Sequence, residues 1–369
     1  MGEIADVVHI VEATFAGVGR HVLDLAATQS GRGANVHVIY GTVRESTSFA
    51  NERQQLTNVS WHPAVLSRGF ANKDLSEIRR IDRLLKDLQP TVIHGHSTKG
   101  GLVARAVAHR GEHVSYTPNA LYSMNPLLGA KSRVGVGTIE HLLSYRTTSI
   151  VAVSPEEQAH MESLRIKADK VSLVPNGVDT FDMPDPDEVR SALGIPLGAP
   201  VVGFVGRLDD QKAPLALLDV CKRVAESNPD VHFAIVGDGP LRAEVDDRVA
   251  GMGDVADRIH VLGEQPGRWA MSAFDVFLLP SRYEGFPFVL IEAAAGGLPI
   301  VTTDRACATG VVTDHENGRI VPFEDTNALA DAVGWALAQD SEEMARRSRE
   351  AASMFTLERM AELPYSHLL

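Results

Sequence analysis

Short apolar runs rich in β-branched residues alternate along the chain with stretches of helical spacing. In the first half the runs are DVVHIV, NVHVIYG, TVIHGH, HVSYTP and SIVAVS, closed by KVSLVPNGVD. Between them, helical patterns cover 20–30, 74–88, 99–109 and 136–146. The second half repeats the grammar. Its runs are PVVGFVG, VHFAIVGDG, RIHVLG, VFLLPS, PIVTT and GRIVP, and its helical stretches cover roughly 213–227, 240–251, 288–297 and 326–338. Apolar strands alternating with helices predict buried parallel sheets. Each half therefore predicts a Rossmann-like, doubly wound α/β domain. The stretch VDTFDMPDPDEVRSALGIPLGAP, rich in Pro, Asp and Gly, marks the junction. The predicted domains are 1–178 and 179–345, with a helical segment at 346–369 that breaks at Pro364. Two such domains in tandem predict a ligand cleft between the carboxyl ends of their sheets.

A length of 369 residues suits two domains of middling size, and 44% hydrophobic with 22% charged residues is an ordinary globular composition. No apolar run approaches the ~20 residues of a bilayer span. The opening MGEIADVVHI has no basic region before its apolar stretch, which predicts no signal peptide. The chain's 2 cysteines, Cys221 and Cys307, then read as reduced thiols in a cytoplasmic protein, small buried hydrophobes and not catalytic groups.

Charge is uneven. Residues 1–178 carry 19 Lys and Arg against 16 Asp and Glu, whereas 179–369 carry 16 against 32. A net charge of −13 argues against general nucleic-acid binding. The mildly basic half contains an amphipathic helix at 74–88, with Arg79, Arg80, Arg83 and Lys86 beside Ile78, Ile81, Leu84, Leu85 and Leu88. Two readings stand: peripheral contact with the inner face of a membrane, or a core-packed helix with a solvated basic face.

Four motifs carry chemistry. The loop after the first strand, EATFAGVGRHV, holds two thirds of a GxGxxG fingerprint, with Val22 in place of the third glycine. The second strand ends VHVIYGT, without the acid that holds a ribose. Both failures fall on diagnostic positions and exclude a dinucleotide site. Gly17 and Gly19 remain, in a predicted tight turn just before a helix. They allow amides to approach an anion there, or they make a plain βα turn. In SRYEGFPFVLIEAAAGGLPIVTTD, Glu284 and Glu292 bracket seven residues. Pro287 suits a helix's first turn, which would put amides of Phe286, Phe288 and Val289 where phosphate or sugar oxygens bind. In VVGFVGRLDDQKAP, Arg207 and Lys212 stand at a strand's carboxyl end, where two cations can neutralise a leaving diphosphate. In TVIHGHSTKGG, His94 reads as packed and His96 as the residue facing the cleft. A His-x-His pair can bind zinc, but no further Cys or His sits at metal-like spacing, so no metal is expected.

Together AGVGRHV, HGHS, VPNGVD, GRLDDQK, VGDGPL and EGFPFVLIEAAAGGLPIV resemble the family 4 retaining glycosyltransferases, in the family's order, over residues 7–340. The resemblance implies the GT-B fold, its two Rossmann-like domains facing across a cleft. It also implies a C-terminal helix near 343–360 crossing back to the first domain. The donor would be a nucleotide-diphosphate sugar and no cofactor would be needed. The acceptor would be a saccharide or lipid-linked saccharide, in polysaccharide or glycolipid assembly. Gly17 would give an amide to the diphosphate, and Arg207 and Lys212 would stabilise its charge. Glu284 would bind the donor sugar, helped by the amides of Phe286 and Phe288, with Val289 beside them. Glu292 would bind the ribose, and His96 would line the sugar pocket. Hexosyl transfer would be metal-independent. Three positions depart from the family pattern: Ala16 at a first glycine, Asn119 where histidine follows TP, and Gly310 near an expected glutamate. The competing readings are a nucleotide-sugar 2-epimerase of the same fold, or a non-catalytic nucleotide-sugar-binding subunit.

Overall fold

The computed structural model describes residues 6–67, 72–109, 112–306 and 309–369, without the side chains of 72–74. Cys307 therefore lies outside the described residues. The chain divides into two compact units. Unit one comprises the residues up to Gly177 together with Leu357–Leu369, and unit two is Val178–Thr356.

Unit one holds β1 (Asp6–Val11), α1 (Ala16–Gly31), β2 (Asn35–Gly41), α2 (Thr47–Gln55), β3 (Val59–Ala64), α3 (Asn72–Leu88), β4 (Val92–His96), α4 (Ser97–Val107), β5 (His113–Thr117), α5 (Ala130–Ser144), β6 (Ser149–Ala152), α6 (Pro155–Ser163) and β7 (Val171–Leu173). Its sheet is parallel, in the order β3-β2-β1-β4-β5-β6-β7, with Val7 registered on Val36 and Val92. Unit two holds α7 (Pro186–Leu193), β8 (Val201–Val205), α8 (Pro214–Ser227), β9 (His232–Val236), α9 (Arg242–Ala250), β10 (Ile259–Gly263), α10 (Gly267–Met271), β11 (Val276–Leu279), α11 (Phe288–Ala295), β12 (Ile300–Thr303), β13 (Gly318–Val321), α12 (Thr326–Leu337) and α13 (Ser341–Ala352). Its sheet runs β10-β9-β8-β11-β12-β13, again parallel. A short α14 (Leu357–Met360) belongs to unit one.

Both units are doubly wound α/β folds, as the apolar runs predict. The periodicity does not reveal β3, α2, α6, α7 or α10. β3 carries Pro63 at the sheet's edge, where the missing donor is tolerated. Of the helices, α2, α6 and α7 are mostly polar and are specified by caps instead of an apolar stripe, and α10 is only 5 residues long. Ser46 caps α2 by accepting from Phe49 N, and Ser154 caps α6 by accepting from Glu157 N. The Pro- and Asp-rich junction itself folds. Asp185 caps α7, Pro186 opens it, and Gly194 at φ 70° ends it. At the C-terminus, α13 stays in unit two, and only Leu357–Leu369 joins unit one. α13 is fastened there by Ser348, which donates to Leu298 O at 2.8 Å.

The apolar stripe of α3 is consumed by the core. Ile81 and Leu85 are buried with Val8, Ile10 and Ile93, and Ile78, Leu84 and Leu88 pack against that cluster. Of the two readings of this helix, the core-packed one is the arrangement observed.

Candidate functional site

In each sheet the strand order reverses beside one strand pair, β1 and β4 in unit one, β8 and β11 in unit two. The loops leaving those carboxyl ends diverge, and a crevice opens where such folds bind ligands.

In unit two, loop 206–213 follows β8 and loop 280–287 follows β11. The backbone of the first lies directly on the loop after β9. A Cβ on Gly237 would stand 2.0 Å from Gly206 O, and one on Gly239 would stand 2.5 Å from Leu208 O. Only glycine permits that approach, and Gly237 also sits at φ 131°. The loops after β8 and β11 are tied to each other. Arg282 N donates to Gln211 O at 2.7 Å. Gln211 Nε2 donates to Tyr283 O at 3.1 Å and to Glu284 Oε2 at 3.2 Å. Lys212 Nζ donates to Glu284 Oε1 at 2.6 Å, and both side chains are mostly buried. Arg207 is more open and pairs with Asp209. The geometry thus unites Lys212 and Glu284, 72 residues apart, as one ion pair at the switch point.

α11 starts at Phe288, with Pro287 at its N-cap. Phe286 and Phe288 are buried, and Phe286 packs on Phe355 with ring centroids 5.3 Å apart. These anchors aim the helix's first turn, with the half-buried Val289, at the loop that carries Glu284. Glu292 is one turn further in. Arg268, from α10, donates to it through Nε at 2.8 Å, donates to Asp179 Oδ1 at 2.5 Å, and lies 4.4 Å over the Phe181 ring. Neither Gln211 nor Arg268 was singled out from the sequence. Gln211 adjoins Lys212 in DDQK, a usable signal. Arg268 stands 24 residues from Glu292 with no local motif.

In unit one, Gly17 and Gly19 occupy the first turn of α1, not a turn before it. The chain bends one residue earlier, at Ala16 with φ 48°. Gly17 is exposed, whereas a Cβ on Gly19 would come within 3.1 Å of Thr14 C and 3.2 Å of the Phe49 ring. Gly19 is therefore a packing glycine, and Val22 is a fully buried core residue.

His96 ends β4 and caps α4, at the carboxyl end as expected, but it is fully buried. It belongs to a network of buried polar groups. His9 Nδ1 and His96 Nε2 are 2.9 Å apart, and His9 Nε2 lies 2.7 Å from Gln29 Oε1. Gln29 Nε2 donates to the Tyr365 hydroxyl at 3.3 Å, which lies 2.7 Å from His94 Nδ1. His94 Nε2 is 2.8 Å from Thr117 Oγ1. One direction of donation satisfies all these pairs. His96 donates to His9, His9 to Gln29, Gln29 to Tyr365, Tyr365 to His94, and His94 to Thr117. That leaves His96 Nδ1 as a buried lone pair with no hydrogen-bond partner among the described residues. Burial pushes His9 down to about 4 and His96 well below the ordinary imidazole range, so all these rings are neutral near neutrality. His9, His94 and His96 are close enough to share a metal ion. Their nitrogens, His96 Nδ1 apart, already pair with one another or with Gln29, Tyr365 and Thr117, so a hydrogen-bond network accounts for the cluster.

The loop after β5 is strained. Asn119 and Ala120 have φ of 54° and 81°. Buried Glu157 holds it, accepting from the amides of Ala120, Leu121 and Val153 at 2.9 Å each. Burial lifts this carboxyl to about 7 against the pull of those three amides.

Residues 15–181 match the model described as Glycosyltransferase Family 4, and residues 199–339 match Glycosyl transferases group 1. The chain is 27% identical over 276 residues to a UDP-Gal:alpha-D-GlcNAc-diphosphoundecaprenol alpha-1,3-galactosyltransferase of Escherichia coli, covering 71% of this chain and 70% of the relative. It is 27% identical over 368 residues to a D-inositol 3-phosphate glycosyltransferase of Xylanimonas cellulosilytica, covering 91% and 86%. Among solved structures, HepE of Anabaena in complex with UDP and glucose superposes with a TM-score of 0.83 at 17% identity, over 99% of both chains.

Proposed function

The chain belongs to the family 4 glycosyltransferases, and on that premise we propose that it moves a hexose from a nucleotide-diphosphate sugar to an acceptor hydroxyl with retention of configuration and without a metal ion. The observation that carries the reading is the Lys212–Glu284 pair at the unit-two switch point. An ammonium has three N–H donors. Lys212 can keep one on Glu284 and turn two towards a diphosphate, with Arg207 beside it. Each Glu284 oxygen, held from Lys212 on one side and Gln211 on the other, keeps lone pairs for sugar hydroxyls. First-turn amides of α11 add a positive pole for the donor's oxygens. We assign the ribose hydroxyls to Glu292, which Arg268 holds through Nε.

The bond between the anomeric carbon and the diphosphate oxygen breaks, and that oxygen takes the electron pair. The acceptor hydroxyl attacks on the same face and passes its proton to the departing phosphate oxygen. Arg207 and Lys212 stabilise the negative charge that builds there. We assign Gly17 to an amide contact with the diphosphate and His96 to the sugar side of the pocket. The first relative's name gives it a lipid diphosphate acceptor. By that likeness the acceptor here is a lipid-linked saccharide, met by unit one at a membrane surface. The test is to incubate the protein with UDP, GDP and ADP sugars, with and without EDTA, and to follow slow hydrolysis and the anomer released by NMR. Hydrolysis with retention that survives EDTA is expected. Inversion, or loss of activity in EDTA, would overturn the mechanism.

A further inference from the structure

α5 is built inside out. Its buried residues are Gly137, Glu140 and Ser144. Gly137 is small because Leu164 packs on it: a Cβ there would lie 2.7 Å from Leu164 Cδ2. Glu140 accepts from buried Arg105 at 2.8 Å. Three of the helix's apolar side chains point the other way, while Val136 and Leu143 are half-buried. Val134 is 69% exposed, Leu142 60% and Ile139 54%, with Tyr145 at 65% just past the helix end. At 3.6 residues per turn, Val134, Leu142 and Ile139 fall within one arc of roughly 140°, and the buried residues fill the opposite side. Leu127, in the loop between β5 and the helix, extends the same chain segment with 57% exposure. This segment holds five of the large hydrophobic side chains left exposed in the protein, and a water-soluble helix places such residues inward.

Charge selects the occupant. Lys131 falls within that arc and Arg146 lies just past the helix end, both exposed, while the helix's one acid, Glu140, is buried in the pair with Arg105. The visible face is therefore apolar and cationic on a chain whose net charge is −13. The acidic excess lies in residues 179–369, which an anionic surface repels, so a cationic, apolar face on unit one also sets orientation. We infer that α5 is a lipid-docking helix, lying in the interface of an anionic bilayer with Val134, Ile139 and Leu142 inserted and the cations at headgroup level. The inference deepens the reading of a lipid-linked acceptor, because the loop between β5 and α5 leaves the carboxyl end of unit one's sheet, where its ligands would bind. It moves the membrane contact from α3, whose apolar stripe is in the core, to α5.

The test is co-sedimentation with vesicles of phosphatidylglycerol and phosphatidylcholine against vesicles of phosphatidylcholine alone. The wild-type chain should bind the anionic vesicles and not the neutral ones. Ile139→Gln with Leu142→Gln should weaken binding at least about tenfold. Lys131→Gln with Arg146→Gln should weaken it about fivefold per cation and flatten its salt dependence. Arg79→Gln with Arg83→Gln on α3 should leave it largely unchanged. All these positions are exposed, and circular dichroism confirms folding. Unaltered binding by the Ile139/Leu142 variant would overturn the inference, as would no binding to anionic vesicles. A wild-type dimer that the Leu142 change dissociates, without vesicle binding, would make the face a contact between copies and overturn it too. Vesicle binding is read without sugar transfer, so its failure is separable from failure of the transferase mechanism. Hydrolysis of a soluble nucleotide sugar should be the same in all variants.

Discussion

Acidification from about pH 7.5 to about 5.5 should destabilise unit one by more than unit two, through its buried histidines. In the folded state His9 and His21 take a proton only near about 4, and His94 and His96 lie well below the ordinary value of 6.5. The cause is burial, which for His9 and His21 outweighs the opposite pull of Gln29 and Asn176. In the unfolded chain all four protonate near 6.5. Groups with a depressed folded pKa lose stability as pH falls below the unfolded value, so the window opens near 6.5 and runs down towards about 4. Each histidine then costs about 1.4 kcal/mol by pH 5.5, and four cost about 5 kcal/mol. Glu157 acts in the opposite sense. Its folded pKa is raised to about 7, so the folded state gains a proton between 7 and 4.5 that the unfolded state does not. That offsets roughly 2 kcal/mol over the same interval. Half-buried His37, His62, His113 and His160 are also shifted down and reinforce the loss. The net loss is about 3–4 kcal/mol, a drop in melting temperature on the order of 10 °C. Trp61 lies in unit one, whereas Trp269 and Trp335 lie in unit two. A Trp269→Phe/Trp335→Phe variant therefore reports unit one alone by fluorescence during thermal or urea unfolding. A unit-one midpoint that stays constant or rises on acidification would refute the neutral-histidine network.

Lys212→Ala should lower turnover at least ~100-fold, because the leaving diphosphate loses a cation and Glu284 loses its fixed partner; near-normal kcat in steady-state assays would sink the assignment. Arg268→Ala and Glu292→Ala should each raise the donor KM, and the double variant should be no worse than either single one, since both act through one pair. Additive losses would mean that Arg268 and Glu292 act separately. Cys221 is fully buried and its thiol is pushed up by that burial, so in a Cys307→Ala background the native protein should resist a thiol reagent that labels it rapidly once unfolded.

Much of the architecture was legible along the chain because parallel strands buried on both faces must be apolar throughout. All six strands of unit two and six of the seven in unit one carry that mark. β3 escaped because an edge strand need not be uniformly apolar and can hold Pro63. α2, α6 and α7 escaped because side-chain caps, not stripes, define them. At the candidate site, Arg207, Lys212, Glu284 and Glu292 were each legible, since strand ends and a proline-opened helix have local signatures. Their pairing was not. That Lys212 meets Glu284 depends on the β8–β11 adjacency of a crossover topology and on the backbone contact allowed by Gly237 and Gly239. Arg268 reaches Glu292 the same way, from a different βα unit.

The sequence alone determined the fold class, the two-unit plan and the family, because these rest on periodicity and on motifs within single loops. Only the tertiary structure decided how side chains far apart along the chain would meet and which would stay bare. It put Tyr365, from the chain's last residues, into the histidine network of β1 and β4. It also decided between the two readings of α3, membrane contact or core-packed helix: its stripe is spent on the core. α5 has an unremarkable pattern, yet Val134, Ile139 and Leu142 are left outside, because its inner face is occupied by Gly137, Glu140 and Ser144. Periodicity states that a helix has an apolar side; only packing states which side the core takes.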